Sequence, residues 1–200
     1  VPAGKTALEI SLPRLIAGDR LLAEDVRLTV KGRERVCIVG RNGCGKSSLL
    51  RIAAQAGEER RAFYMPQDYD EALRPGMTAL TYLETQGGGA EREHIAACLG
   101  CMRFTREEME RDVAALSGGQ RAKLLLTKAN LTGAQVLILD EPSRNFSPLS
   151  AGAVADELAR FSGAILFVSH DRAFIERVAT AVFELTEKGL APREKENLFF

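Results

Sequence analysis

Two kinds of apolar pattern run along the chain, and they predict two kinds of β-strand. Residues 7–12 and 26–30 place apolar side chains at every second position, which is typical of antiparallel strands with one exposed face. Other apolar segments are short and continuous, as in strands that are covered on both faces. These buried segments are 36–39, 136–139, 164–168 and 182–185. The pattern predicts an antiparallel pair followed by a buried sheet.

Helix-forming segments separate the buried strands, at 47–56, 119–131, 151–161 and 172–179. Strands that alternate with helices predict a parallel sheet flanked by helices. Residues 70–116 follow another pattern, because Thr105 and Glu108 have the spacing of a capping box and glycines and prolines punctuate the region. We expect a small helical lobe there, inserted into the α/β core.

The composition is that of an ordinary globular domain. The 200 residues are 46% apolar, and 27 basic side chains balance 27 acidic ones, so the chain carries no basic field typical of nucleic-acid binders. It has neither a long apolar segment nor an apolar leader at its start, and we therefore expect a cytoplasmic protein that does not insert into membranes. We expect the Cys98 and Cys101 thiols to be reduced and packed in the helical lobe.

Residues 40–47 read G-R-N-G-C-G-K-S, between a predicted strand and a predicted helix. This matches the phosphate-binding pattern G-x-x-x-x-G-K-S, in which glycines let backbone N–H groups converge on an anion at the positive end of a helix. Lys46 would reach the β- and γ-phosphates, and the Ser47 hydroxyl would be a ligand of Mg²⁺.

The buried segment 136–139 ends in two carboxylates, Asp140 and Glu141. Ligands of open α/β sheets bind at the carboxyl ends of the strands, so both side chains are expected beside the phosphate loop. Asp140 is the predicted acid next to Mg²⁺, and Glu141 is the candidate base for the water that attacks the γ-phosphorus.

Residues 116–120 read L-S-G-G-Q before a predicted helix and form a second anion site. One nucleotide cannot obviously use both phosphate-binding elements of a single copy. This suggests that the second element serves the nucleotide of another copy.

These motifs resemble those of the ATP-binding cassette (ABC) ATPases. Residues 40–47 resemble the Walker A motif, 116–120 the signature motif and 136–141 the Walker B motif, while Gln67 and His170 match the Q-loop glutamine and the switch histidine. The resemblance implies an α/β fold: a P-loop NTPase core with a mainly parallel sheet, an N-terminal antiparallel β lobe and an inserted helical subdomain at about 70–116. It also implies a single nucleotide-binding domain over 1–194.

In this family two cassettes pack head to tail and hold each ATP between them, so the resemblance implies a second cassette as partner and ATP and Mg²⁺ as cofactors. Mg²⁺ would lie against Ser47, Gln67 and Asp140. Glu141, His170 and Gln67 would serve hydrolysis, with His170 holding the attacking water and the γ-phosphate. The implied ATP-binding residues are Gly40, Asn42, Gly43, Cys44, Gly45, Lys46, Ser47 and Ser48, with Ser117, Gly118, Gly119 and Gln120 acting across the interface.

Residues 169–174, S-H-D-R-A-F, resemble the ABC-F class, whose proteins carry two cassettes on one chain and act on ribosomes. Residues 141–150 resemble a D-loop variant of the second cassette in such proteins. The favoured function is therefore an ATPase cassette of a ribosome-acting ABC-F protein that serves translation or antibiotic resistance, weakly active on its own. The alternatives are the ATPase subunit of a membrane transporter, with a permease as partner, and a nucleotide-binding module that changes shape without turnover.

The sequence also departs from the family. The usual D-loop aspartate is absent where Leu149-Ser150 stand, and residues 1–62 contain no aromatic side chain to stack on adenine. We expect adenine to rest on aliphatic side chains such as Ile16, or to bind with relaxed base preference. The tail 195–200 resembles in part a protease-cleavage tag and is left out of the fold prediction.

Overall fold

The computed structural model describes residue 2, residues 4–144 and residues 148–195. The strands are β1 (Thr6–Ala17), β2 (Arg20–Lys31), β3 (Arg35–Val39), β4 (Ala62–Met65), β5 (Val136–Asp140), β6 (Ala164–Val168), β7 (Ala181–Thr186) and β8 (Gly189–Arg193). The helices are α1 (Lys46–Ala56), α2 (Ala79–Gln86), α3 (Arg92–Cys101), α4 (Arg106–Met109), α5 (Gly118–Leu131), α6 (Pro148–Arg160) and α7 (Arg172–Val178). Short 3-10 turns lie at Glu58–Arg60, Tyr69–Glu71 and Val113–Ala115.

Two sheets form the β structure. β1 and β2 pair with each other in antiparallel orientation. The larger sheet has the order β4-β5-β6-β3-β7-β8, and its strands are parallel except for β8, which is antiparallel to β7. The predicted α/β fold, with a mainly parallel sheet and an N-terminal antiparallel pair, is confirmed.

The central strands are apolar throughout because they face two cores. On β3, Cys37 and Val39 pack into the core beneath α5, α6, α7 and the helices of residues 70–116. Val36 and Ile38 face the opposite core, which α1 and the β1–β2 pair cover. Side chains alternate between the faces of a strand, so a strand covered on both sides needs an apolar residue at every position.

The predicted helical lobe lies between β4 and β5. Residues 70–116 contain α2, α3 and α4 and none of the described strands, and Leu83, Ile95 and Leu99 join them to the core beneath α5. Treating them as a subdomain of a single domain over 1–194 stays a prediction. None of the helices described here is both long and apolar enough to cross a membrane.

Several element bounds differ from the predicted ones. β1 and β2 continue well beyond 7–12 and 26–30 and form one long hairpin, α6 begins at 148 rather than 151, and α7 ends at 178 rather than 179. β4, α2 and β8 were not predicted. Residues 145–147 of the segment that resembles a D-loop, and residues 196–200 of the tail, lie outside the described residues. Predictions that concern those residues stay predictions.

Candidate active site

The loop between β3 and α1 has the backbone of a phosphate cradle. Gly40, Gly43 and Gly45 have φ values of 146°, 75° and 105°, a region that side chains disfavour. A Cβ atom on Gly40 would lie 2.9 Å from the carbonyl oxygen of Leu185 in β7. Only glycine fits there, because the loop passes directly against a neighbouring strand.

The N-terminus of α1 lacks the side-chain cap that α2 and α5 have. Gly45 occupies its N-cap position and has no side chain that could cap the helix, whereas Thr78 and Ser117 cap α2 and α5 with their hydroxyl groups. The first turn of a helix presents backbone N–H groups and a partial positive charge. This end of α1 therefore suits an anion.

Lys46 is placed to hold that anion. Its side chain is buried, and its ammonium group donates to the carbonyl oxygens of Gly40 at 2.8 Å and Arg41 at 2.9 Å. A lysine ammonium has three N–H donors, so one donor beyond these two is available for a phosphate oxygen.

A cavity of about 420 Å³ brings most of the predicted residues together. Ala17, Arg20 and Leu22 of the β1–β2 hairpin line one side of it. Ile16, on the same hairpin, has a side chain that is about half exposed. The predicted site residues in the lining are Asn42, Gly43, Gly45, Lys46, Ser47, Ser48, Gln67, Asp140, Glu141 and His170. Cys44 lines a neighbouring cavity of about 630 Å³, together with Asn42 and Gly43.

Asp140 ends β5 and is almost fully buried beside Ser47. Burial raises the pKa of its carboxyl group, while a hydrogen bond from Ser47 and the charges of Arg51 and Lys46 lower it in part. The Oδ1 atom of Asp140 is buried and has no hydrogen-bond partner. An unused carboxylate oxygen beside a hydroxyl group, with Gln67 lining the same cavity, is the donor set that Mg²⁺ prefers. The site therefore fits the predicted metal ion.

Glu141 and His170 form a pair at the edge of the cavity. The Nε2 atom of His170 lies 3.3 Å from Oε1 of Glu141, and the backbone N–H of His170 donates to Oε2 at 3.3 Å. Burial raises the pKa of the Glu141 carboxyl group, the His170 charge lowers it in part, and the Asp140 carboxylate raises it again. Both oxygens of Glu141 are thereby oriented by one residue.

The signature residues lie apart from this cavity. Ser117 is the N-cap of α5, and its hydroxyl accepts from the Gln120 N–H at 3.3 Å while the Gln120 side chain accepts from the Ser117 N–H at 2.8 Å. The side-chain Nε2 atom of Gln120 also donates to Oε1 of Glu108 at 2.6 Å. Residues 117–120 do not line this cavity. The Gln120 side chain is thus bonded within the chain, a feature that the motif alone does not indicate.

Arg51 is a residue of the site that the motifs do not identify. It lies four residues after Ser47 on α1, which is one turn of the helix. Its charge lowers the pKa of Asp140, and its guanidinium group lies 3.6 Å from Glu71. The helical spacing from Ser47 is the sequence signal that points to it.

The chain is similar to known proteins of one family. The profile of the ABC transporter family matches residues 23–61 and 55–144, more than half of the chain. The energy-dependent translational throttle protein EttA of Escherichia coli is 31% identical over 93% of this chain and 36% of its own length. The ABC transporter F family member 2 of Arabidopsis thaliana is 28% identical over 90% of this chain and 29% of its own length.

The chain thus spans about a third of the length of these relatives. Among solved structures, the dimeric ATP-binding cassette MJ0796 in a post-hydrolysis state with ADP and Pi has a TM-score of 0.76 and 19% identity, covering 97% of this chain and 98% of its own. That likeness shows the fold. The family profile, matched over the same residues that build the phosphate cradle and Asp140, shows that this chain belongs to the ABC transporter family.

Proposed function

We propose that this chain hydrolyses ATP as one cassette of an ABC-F-type protein, with each ATP held between two cassettes. The contact of Glu141 with His170 beside the phosphate cradle carries the proposal, because it supplies an oriented base at the place where a γ-phosphate would end. We further propose that the whole protein acts on ribosomes in the cytoplasm.

Binding and orientation come first in the proposed mechanism. The N–H groups of the loop and of α1 hold the phosphates, and Lys46 adds a positive charge near the β- and γ-phosphates. Mg²⁺, held by Ser47, Asp140 and Gln67, would neutralise charge that builds up on the phosphate oxygens. Arg51 helps to keep Asp140 ionised.

Glu141 then accepts a proton from the attacking water, whose oxygen bonds to the γ-phosphorus as the bond to ADP breaks. His170 fixes the direction of the Glu141 carboxylate and contacts the γ-phosphate. Phosphoryl transfer is accelerated mostly by positioning and electrostatic stabilisation, and these residues supply both.

The signature completes the site from a second cassette. Ser117, Gly118 and Gly119 stand at the N-terminus of the 14-residue helix α5, which favours a negative charge. These three residues do not line the cavity of their own chain. This supports the proposal that they contact the nucleotide of the facing cassette.

The assignment to the ABC-F class rests on relatives and on one motif. One relative is named as an F family member and another as a translational throttle protein. Residues 169–174 carry the S-H-D-R-x-F pattern that resembles this class.

Hydrolysis is tested by comparing the full-length protein with its Glu141→Gln variant. We expect phosphate release from MgATP to fall by at least about a hundredfold at this site, because the base is lost while the shape is kept. Equal rates in the two proteins would refute the proposed role of Glu141.

The ribosome proposal is tested with the same variant. Full-length Glu141→Gln protein is sedimented with ribosomes in the presence and absence of ATP. We expect ATP to enrich the protein in the ribosome pellet. No enrichment, with co-purification of a membrane permease instead, would support the transporter alternative.

A further inference from the structure

The backbone of Glu141 is held in an unusual conformation. Its φ is 49°, in the left-handed region that residues other than glycine seldom adopt. Such a conformation persists only where its surroundings enforce it. Two backbone hydrogen bonds contribute, from the Glu141 N–H to Val168 at 3.1 Å and from the Arg144 N–H to Glu141 at 3.1 Å.

The residue after Glu141 is held by a side chain from a distant part of the sequence. The hydroxyl of Tyr69 donates to the carbonyl oxygen of Pro142 at 3.2 Å, in a buried contact. Tyr69 is 3% exposed.

Tyr69 is itself fixed by its neighbours. It begins the 3-10 turn Tyr69–Glu71, which the Asp68 carboxylate caps by accepting from the Asp70 N–H at 3.0 Å. Asp70 pairs with Arg121 of α5 at 2.7 Å. The phenol ring therefore projects from a turn that Asp68 caps and that Asp70 ties to α5.

A second contact holds the same stretch. The hydroxyl groups of Ser143 and Ser169 lie 3.2 Å apart, which joins the segment after Glu141 to the residue before His170. Pro142 thus lies between a backbone kink at Glu141 and a side-chain contact at Ser143. The hydrogen bond from Tyr69 therefore restrains the residue that is joined to Glu141 by a peptide bond.

We propose that Tyr69 is a positioning residue for hydrolysis, whose hydroxyl holds Pro142 and thereby aims the Glu141 carboxylate at the attacking water. The proposal rests on the proposed hydrolytic role of Glu141. Tyr69 touches no nucleotide in this scheme and acts only through the Pro142 carbonyl.

The chain offers a matched control. Tyr82 in α2 is 4% exposed, and its hydroxyl accepts from Lys128 of α5 at 3.2 Å. Neither residue lines the cavity that holds Glu141. Tyr69→Phe and Tyr82→Phe each remove one hydroxyl group from a buried ring. Any general effect on stability should therefore be similar in both.

The experiment measures ATP hydrolysis by the full-length protein and its two phenylalanine variants. The residual rate of the Glu141→Gln variant is subtracted from each, so that only hydrolysis at this site is compared. We expect Tyr69→Phe to lower kcat by about tenfold, since misplacement by about 1 Å can cost up to about a hundredfold. KM for MgATP and Kd for ADP should change by less than about twofold, since binding does not use Glu141. Tyr82→Phe should leave kcat unchanged.

Two results would overturn the inference: a kcat for Tyr69→Phe equal to that of Tyr82→Phe, or a loss of ADP binding as large as the loss in kcat. Failure of the proposed function looks different, because the unmodified protein would then turn over no faster than its Glu141→Gln variant.

Discussion

The orientation and the raised pKa of the Glu141 carboxyl group depend on neighbouring residues. Asp140 ends β5, and Glu141 follows it directly at the edge of the sheet. The left-handed backbone of Glu141 and its two contacts with His170 depend on segments far away in the sequence. The electrostatic properties of Glu141 therefore come from its surroundings.

The raised pKa of Glu141 predicts a pH-dependent cost in stability. The folded state binds this proton more tightly than the unfolded state does, so stability falls as pH rises from the ordinary value of 4.5 through the raised pKa. Glutamine at this position does not titrate. We expect Glu141→Gln to unfold at a higher temperature than the unmodified chain near pH 7, with a difference that shrinks on acidification.

Thermal unfolding between pH 4 and pH 8, roughly the range that brackets ordinary and raised carboxyl pKa values, measures this. Glu9→Gln, at an exposed position in β1, is the control. A Tm difference for Glu141→Gln that grows on acidification would contradict the prediction.

Gly40 is predicted to be indispensable for a steric reason. Alanine there would combine a φ of 146° with a 2.9 Å approach to the Leu185 carbonyl oxygen, and a strand backbone cannot move aside easily. Gly89 has a φ of 82° but open space around its Cβ position, so Gly89→Ala isolates the backbone strain.

We expect Gly89→Ala to cost about 1–2 kcal/mol of unfolding free energy and Gly40→Ala to cost more. Gly40→Ala should also abolish binding of a fluorescent ATP analogue, which Gly89→Ala should keep. Urea unfolding and an analogue titration test both points. Unchanged binding in Gly40→Ala would show that the loop tolerates a side chain.

Among the elements, those with a strong apolar pattern were predicted and those without one were not. The buried strands β3, β5, β6 and β7 match the predicted segments closely, because a strand covered on both faces needs continuous apolar residues. β4 is only four residues long, and β8 contains Pro192 and is mostly exposed at the sheet edge. α2 is eight residues long, so its pattern is too short to be distinctive.

One helix end depends on an arginine from a neighbouring strand. The guanidinium group of Arg35 at the start of β3 donates to carbonyl oxygens of Leu158, Ala159 and Phe161 at the C-terminus of α6. A positive charge there complements the helix dipole and satisfies carbonyl groups that lack helical partners.

We expect Arg35→Ala to lower the free energy of unfolding by about 2 kcal/mol, as several charged hydrogen bonds are lost. Arg35→Lys should lose about half as much, because it keeps the charge without the planar fork. Arg27→Ala removes only an exposed ion pair and should cost less than about 1 kcal/mol. Urea unfolding of the three variants measures these free energies. Equal losses of unfolding free energy in Arg35→Ala and Arg27→Ala would contradict the role of Arg35 at the C-terminus of α6.

At the scale of the whole molecule, the proposed sharing of each nucleotide site by two cassettes predicts association. The phosphate cradle, Asp140, Glu141 and His170 line the cavity, whereas Ser117 does not. We expect Glu141→Gln to elute as a larger species in size-exclusion chromatography with MgATP than without it, because ATP that is bound and not hydrolysed joins two copies.

Lys46→Ala in the same background is the control, since it weakens phosphate binding and should abolish the shift. In the isolated chain, the rate of hydrolysis per protein molecule should be low and should rise with protein concentration. A high rate per molecule that is independent of protein concentration would contradict the shared site.

The amino-acid sequence was enough to predict the buried strands β3, β5, β6 and β7, the phosphate loop, the two acidic residues and the signature, because each is encoded by neighbouring residues. Tertiary structure alone decided which of these meet in one cavity, that Gln120 is bonded within the chain, and that Tyr69 holds the segment after Glu141. The reason is physical: local patterns fix backbone preference and burial, whereas the partners of a side chain depend on which distant segments the packed sheet brings within hydrogen-bond distance.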